Sequence, residues 1–439
     1  MKNHIRILVI DAYTDGNIGS GALVENSINL LRQNFPDAEI EILAQFPKHI
    51  AEFTGIRTSP ELFIIPFNQP RLKQIIWFAS SIVWMSINMI FRCLSRFGLK
   101  VPPSFYTLDK KKRLTIDRIG WADMIVSVGA ERINDNFFKT MPFSLYTLWV
   151  MKSHGKFLVL FPQTIGPFHF RFSRCLSTKI LDKCDVIFLR DERSQQEVDS
   201  LGVKRAHVIR TCDVAILQNA IHRDEANGVL RDFGVPTDNS KLFGISAMHW
   251  SYIKAKGKSR YDDYKRAIAR VADDMVREHK TFIVFVATNM SVHGCREDDL
   301  LAAKDILSIM EMKRNACIVS RLCSPSEMKG IMGVFELFLA TRMHACIFST
   351  GICTPTVSIN YQFKLKEYMR SMGLERYSLD IDQVQPDNLR EVVRTAWDNR
   401  GEIRNVLSLK TSQWKSQLHK TMEEFAQKFS KQDSGGQLR

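Results

Sequence analysis

Short apolar runs separated by segments of helical length recur along this chain, and that alternation restricts its fold more than any other feature. The first series comprises IRILVID (5–11), EIEILAQ (39–45), DMIVSVG (123–129), KFLVLFPQ (156–163), DVIFLRD (185–191) and HVIR (207–210). A second begins with LFGISAM (242–248) and continues through TFIVFVAT (281–288), ACIVS (316–320), LFLAT (337–341) and TPTVSIN (354–360). Runs this apolar suit strands buried on both faces, and strands alternating with helices predict parallel sheets covered by helices on each side. The chain is therefore expected to be α/β with two such units. The polar stretch at 222–241, rich in charge and holding Gly and Pro, predicts the boundary between them. The expected organisation is a first domain over 1–225, a second over 241–385, helices over 386–431 and a flexible tail over 432–439. Ile403, Leu407, Trp414, Leu418, Met422, Phe425 and Phe429 recur at helical spacing and predict a long amphipathic C-terminal helix.

The first series is interrupted at 66–118. From Gln74 to Phe91 the chain carries no charge, and as a helix this stretch is about 27 Å long against a hydrocarbon core of about 30 Å. Gln74, Trp77, Ser81, Trp84 and Asn88 share one helical face, with Ile, Phe, Val and Met on the rest, a pattern that suits a helix lying in an interface. Eight Lys/Arg and two acids follow in 92–118, and a hydrophobic segment followed by a basic one suits an anionic leaflet. A buried edge helix followed by a solvated basic loop is the competing expectation, and a true span a third.

Composition narrows the class further. Lys+Arg 61 against Asp+Glu 47 gives +14, compatible with an acidic small molecule, an anionic membrane or a nucleic acid. No nucleic-acid motif accompanies that excess, which gathers beside the apolar segment, so nucleic acid is not an expected partner. Nine scattered cysteines without a C-x-x-C pair point to a reducing compartment. The first apolar run is too short for a signal-peptide core. The expected location is cytoplasmic, with peripheral attachment to the inner face of the membrane through 74–118 as one reading. No metal-ligand spacing appears, so no metal is expected.

The residues equipped for chemistry stand where strands give way to helices. Asp15-Gly16-Asn17-Ile18-Gly19-Ser20-Gly21 follows the first strand, where free backbone N–H groups and the helix dipole favour a polar ligand. It does not read G-x-G-x-x-G, and Gln45 ends the second strand, so a dinucleotide site is disfavoured. Gly129, Glu131 and Arg132 follow one strand, Gln163 and Gly166 another, and Arg190, Asp191 and Ser194 a third, all at the carboxyl ends where open α/β sheets bind ligands. Arg190 is equally readable as half of a structural ion pair, and Ser194 as a cap. In the second series Arg342 and His344 open an apolar helix and would aim a guanidinium fork and an imidazole at one anion, with Tyr361 and Lys364 following the next strand.

In order, Asn17-x-Gly19, FPQTIGPF (161–168), LRDERS (189–194), CDVAI (212–216), TRMHACIFSTGICTPTVSINY (341–361) and Lys364 resemble the polysaccharide pyruvyl transferase family over roughly residues 8–375. The resemblance implies two Rossmann-like domains in a GT-B-like arrangement, the first on the acceptor side with the hydrophobic helical insertion, the second holding the donor anion. It implies transfer of the enolpyruvyl carbons of phosphoenolpyruvate to sugar hydroxyls as a ketal, with phosphoenolpyruvate as substrate and no cofactor. The acceptor would be a sugar or lipid-linked oligosaccharide, and self-association is compatible with the chain. On this reading His344 is the general acid, and Asp15, Glu131 or Asp191 the base. Asn17, Gly19, Gly129, Arg132, Gln163, Gly166, Arg190, Ser194, Arg342, Tyr361 and Lys364 surround the substrates. The family commonly carries Asn-x-Gly-Asp in the first turn, whereas this chain has Ser20, so the base must come from elsewhere, with Asp11 a further choice. The rival classes are a nucleotide-sugar glycosyltransferase of the same architecture and a non-catalytic sugar- or nucleic-acid-binding protein.

Overall fold

The computed structural model describes residues 4–14, 16–66, 69–98, 101–102, 107–129, 131–238, 240–249, 258–290 and 298–434. Its chain divides into two compact units. One takes the residues up to Thr14, Leu23–Asp213 and the chain from Leu418. The other takes residues 16–22 and Val214–Gln417.

In the first unit the order is β1 (Arg6–Ala12), α1 (Ile18–Asn34), β2 (Glu39–Ala44), α2 (Pro47–Thr54), β3 (Thr58–Pro60), α3 (Arg71–Arg96), α4 (Lys110–Trp121) and β4 (Met124–Ser127). It continues with α5 (Met141–Ser153), β5 (Phe157–Gln163), α6 (Arg171–Leu181), β6 (Val186–Leu189), α7 (Glu192–Leu201) and β7 (His207–Arg210). The seven strands form one parallel sheet in the order β3-β2-β1-β4-β5-β6-β7. Ile7, Leu8 and Val9 of β1 and Leu158, Val159 and Leu160 of β5 are wholly buried, as strands covered on both faces must be.

The second unit contains α8 (Arg223–Asp232), β8 (Lys241–Ser246), α9 (Lys258–His279), β9 (Thr281–Val286), α10 (Asp299–Ile309), β10 (Ala316–Val319), α11 (Pro325–Met332) and β11 (Leu337–Ala340). After these come α12 (Met343–Gly351), β12 (Thr356–Asn360), α13 (Phe363–Ser371), β13 (Ser378–Asp380), α14 (Pro386–Asp398) and α15 (Arg400–Ser434). Its six strands are parallel, in the order β10-β9-β8-β11-β12-β13. Each sheet reverses its winding once, between β1 and β4 and between β8 and β11. Crevices at the carboxyl ends of strands flanking such a reversal are where open α/β sheets hold ligands.

The units do not follow the expected boundaries. The second begins at Val214, because the charged stretch after it is an amphipathic helix, α8, that buries Ala226 and Leu230. Ile221 N–H donates to the Ser326 carbonyl, and the buried Lys329 ammonium to the carbonyls of Ile216 and Gln218. The C-terminal helix is shared: residues to Gln417 belong to the second unit and those from Leu418 to the first. There Phe425 and Phe429 pack against Phe35, Phe157 and Phe188. The tail expected from 432 is helical to Ser434; 435–439 lie outside the described residues.

Helix α3 forms from the uncharged run, with Trp77, Ser81, Trp84 and Asn88 of its polar and tryptophan stripe turned inward and Gln74 exposed. Trp77 meets Phe143, Trp84 meets Phe63, and Asn88 Oδ1 accepts from the Tyr146 hydroxyl and from Arg92 Nε. Residues Arg71–Leu94 are long and apolar enough to cross a membrane by length and composition, yet most of their apolar side chains stand exposed.

Candidate functional site

The strongest convergence of the residues read from the sequence is in the second unit, at its sheet's reversal. Strand β11 is followed by the buried Thr341, whose hydroxyl is 2.8 Å from that of Tyr264, itself accepting the Met248 N–H beyond β8. Burial pushes the Tyr264 hydroxyl up to about 12, so it stays a neutral hydrogen-bonding post. Arg342 sits at the cap of α12 in extended conformation. Its Nε and one terminal nitrogen donate to Oδ1 of Asp299, at 3.0 and 2.8 Å. The arginine side chain is 13% exposed and the aspartate 1%. Asp299 Oδ2 meanwhile accepts the Asn289 N–H. One buried carboxylate thus fixes the guanidinium plane through Oδ1 and the loop after β9 through Oδ2.

The first turn of α1 lies on this same group. Asn17 pairs with Asn289, Ile18 N–H donates to the Thr288 carbonyl, and Met290 N–H to that of Gly16. Asn17 Oδ1 accepts the Ser20 N–H at 3.0 Å, capping α1. A Cβ on Gly19 would stand 2.2 Å from Cγ and Nδ1 of His344, which explains the glycine: only a bare backbone lets the helix start against the imidazole. Asn17, Gly19, Arg342 and His344, distant in sequence, are therefore brought together. Tyr361 and Lys364 flank the start of α13 after the adjacent strand β12, both half-buried. The amino ends of two helices, a held guanidinium and an imidazole make a place for an anion beside a proton carrier.

In the first unit the corresponding reversal carries a different chemistry. Asp11 occupies left-handed backbone at φ 62°. Its carboxylate accepts from Ser127 Oγ at 2.6 Å and from Arg132 at 2.9 Å. Arg132 also lies 3.5 Å from Glu61, whose side chain is 14% exposed. Burial pushes the Glu61 carboxyl up to about 7, Arg132 pulls it down, and the Asp11 charge raises it again. Glu61 Oε1 and Nε2 of the buried Gln163 have no hydrogen-bond partner among the described residues. These five polar residues line a cavity with Phe63, Phe143 and Leu148. After β4, a Cβ on Gly129 would stand 2.2 Å from the Pro162 carbonyl oxygen, so only glycine lets the two strand ends approach.

Other residues singled out by sequence support the scaffold. Arg190 donates to Thr164 Oγ1 at 2.8 Å and to Asp213 at 2.7 Å, in a pair only 3% and 2% exposed. Its fork is engaged inside the unit instead of being offered to a ligand. Asp191 caps α7, accepting from Ser194 N–H and Thr164 Oγ1, and Ser194 Oγ accepts the Ile165 N–H. Together they hold the loop after β5. At Gly166, φ is 82° and a Cβ would press on the Glu197 side chain. Glu131 is half-buried beside that loop, and its carbonyl accepts from Asn134. Asp15 lies outside the described residues. Sequence reading passed over Glu61 and Asp299. Glu61 is a lone acid before the apolar LFII, and Asp299 opens an ordinary amphipathic helix; neither has a motif around it. Among the described residues no three His, Cys, Asp or Glu gather as a metal site.

The profile of the family described as "Polysaccharide pyruvyl transferase" matches residues 17–362. The amylovoran biosynthesis protein AmsJ of Erwinia amylovora is 22% identical over 404 residues, spanning 91% of this chain and 94% of that protein. Among solved structures, HepE from Anabaena in complex with UDP and glucose superposes with a TM-score of 0.54 at 13% identity, covering 97% of this chain and all of that one. A putative UDP-N-acetylglucosamine 2-epimerase from Listeria monocytogenes gives 0.53 at 12% identity, covering 92% and 90%. Identities this low establish the shared fold alone, a two-unit α/β fold of the GT-B-like class.

Proposed function

Because the chain belongs to the polysaccharide pyruvyl transferase family, we propose that it transfers the enolpyruvyl carbons of phosphoenolpyruvate to hydroxyls of a sugar, forming a ketal during synthesis of a surface polysaccharide. The likeness to an amylovoran biosynthesis protein supports the polysaccharide. An acceptor carried on a membrane lipid suits a chain whose first unit exposes an apolar helix. The observation that carries the reading is the seating of Gly19 on His344 beside the Asp299-held Arg342.

Phosphoenolpyruvate presents a phosphate and a carboxylate. Arg342 and the amino end of α12, which no side chain caps, suit the phosphate, and Lys364, opening the helix after the next strand, suits a second anionic group. Arg190, expected among the residues around the substrates, is left out of this assignment by its buried pair with Asp213. His344 delivers a proton to the methylene carbon, making C2 electrophilic. The first sugar hydroxyl forms a bond to C2 and gives up its proton to a base. The C2–O bond to phosphorus then breaks, inorganic phosphate departs, and a second hydroxyl closes the ketal as it loses its own proton. General acid and base catalysis of this kind works best with groups whose pKa lies near the working pH. Asp191 is left out as that base, since it already caps α7 and accepts from Thr164 Oγ1.

The test is release of inorganic phosphate from phosphoenolpyruvate with a saccharide acceptor, alongside thermal stability on titrating phosphoenolpyruvate or UDP-sugars. A ligand selective for the native state raises its melting temperature. Phosphoenolpyruvate should raise it for wild type and not for Arg342→Ala. A response to UDP-sugars alone would replace this reading with nucleotide-sugar glycosyl transfer.

A further inference from the structure

We propose that the outer face of α3 is a docking surface for an anionic phospholipid bilayer, on which the helix lies flat while remaining packed on the first unit. Soluble proteins rarely expose a large contiguous apolar patch without a use for it. Leu72, Ile75, Ile76, Ile82, Val83 and Ile90 are between 45% and 68% exposed, and the steps of three, four and seven residues that link them lay them along one stripe. The usual amphipathic arrangement is inverted. The uncharged polar groups Ser81 and Asn88 are buried, and Trp77 and Trp84 are packed against the unit's core, while the aliphatic face is turned out.

Charge selects the occupant. No Asp or Glu occurs between Leu62 and Leu108, whereas Arg71 and Lys73 stand exposed at the amino end of the helix. The basic start of α4 is brought against its middle: Lys112 Nζ lies 4.8 Å from the centre of the Trp84 ring, and Trp84 Nε1 donates to Thr107 Oγ1. Lys110 and Lys111 beside it are exposed. An aliphatic stripe with a basic margin matches acyl chains beneath anionic headgroups, whereas the interface between two identical copies would set these cations against each other. The inward contacts of Trp77, Trp84 and Asn88 exclude a spanning role, since a span would strip them from the unit. This inference stands apart from the choice of donor substrate.

The full-length chain is sedimented with phosphatidylcholine vesicles with and without phosphatidylglycerol, with light scattering and a thermal melt in parallel. Wild type should bind the anionic vesicles. Lys110→Glu with Lys111→Glu should weaken binding about tenfold or more, as should high salt. Ile75→Asp with Val83→Asp should abolish it at an unchanged melting temperature, because both side chains are exposed; Leu72→Gln with Ile90→Gln serves the same purpose should the first pair fail to fold. No binding by wild type, binding unaltered in the apolar variants, a dimer that those variants dissociate, or retention on membranes through an alkaline carbonate wash would each overturn the proposal.

Discussion

Asp11 adopts a backbone conformation that L-residues rarely occupy, at a cost of order 1 kcal/mol or more, and such strain persists only where the surroundings fix it. Here Ser127 and Arg132 hold the carboxylate from two sides. The neighbouring Glu61 shares the same arginine and is pushed up to about 7. Against its ordinary 4.5, that difference amounts to about 3 kcal/mol disfavouring the ionised form in the folded state. The native protein therefore binds this proton more tightly than the unfolded chain does. The stability that this group contributes is fullest below pH 4.5 and is lost as pH rises through 7. Glu61→Gln copies the protonated form, so its melting temperature relative to wild type should climb between pH 5 and pH 8; an equal offset at both would refute the raised carboxyl. None of this was legible in the sequence, because a solitary acid acquires its character from burial and from partners distant along the chain. Arg342, His344, Asn17 and Gly19 were legible, since each stands at a strand end within a recognisable spacing. Arg190 stood in the same kind of place and proved internal: sequence position does not disclose Asp213 on its far side.

At the scale of elements, the strands and their helices were readable from apolar runs, and both parallel sheets follow from that alternation. The stripe of Gln74, Trp77, Ser81, Trp84 and Asn88 was readable too. Which side of α3 meets the protein was not, because periodicity defines faces without saying what covers them, and only Tyr146, Phe143 and Phe63 decide it. The first turn of α1 was readable as a ligand-binding turn, but its attachment to the second unit is a long-range fact. That attachment yields a test. In Gly19→Ala the new methyl meets the His344 ring at 2.2 Å, so either the imidazole or the helix start must move. Overpacking costs about 1–3 kcal/mol, offset by up to about 1 kcal/mol from alanine's better helix propensity. A displacement near 1 Å at a reacting group costs about 100-fold in rate. Phosphate release should therefore fall about 100-fold while the fold survives; undiminished turnover would remove His344 from the chemistry.

At the scale of the whole molecule, the chain crosses between its units more often than a boundary at 222–241 suggests. Residues 16–22 belong with the second unit, and the chain from Leu418 returns to the first. The periodicity of α15 announced a buried face, but a single helix serving two units shows no break at the point of change. Its last turns bury Leu418 and Met422 completely and leave Phe425 and Phe429 each 5% exposed. The two phenylalanines are ringed by Phe35, Phe157 and Phe188 of the first unit. Fully burying such side chains is worth about 1.5–3 kcal/mol each, so four of them rival the entire stability of an ordinary domain, about 5–15 kcal/mol. Removing everything after Gln417 should accordingly spare the second unit's own contacts and strip a wall from the first. Under differential scanning calorimetry the truncated chain should lose or sharply lower the transition belonging to the first unit. Full-length Phe425→Ala with Phe429→Ala should lower it in the same direction by a smaller step, since each large-to-small change leaves a cavity costing about 3–5 kcal/mol. A truncated chain melting like the intact one would mean that the aromatic cluster closes without its C-terminal members and that α15 belongs energetically to the second unit alone.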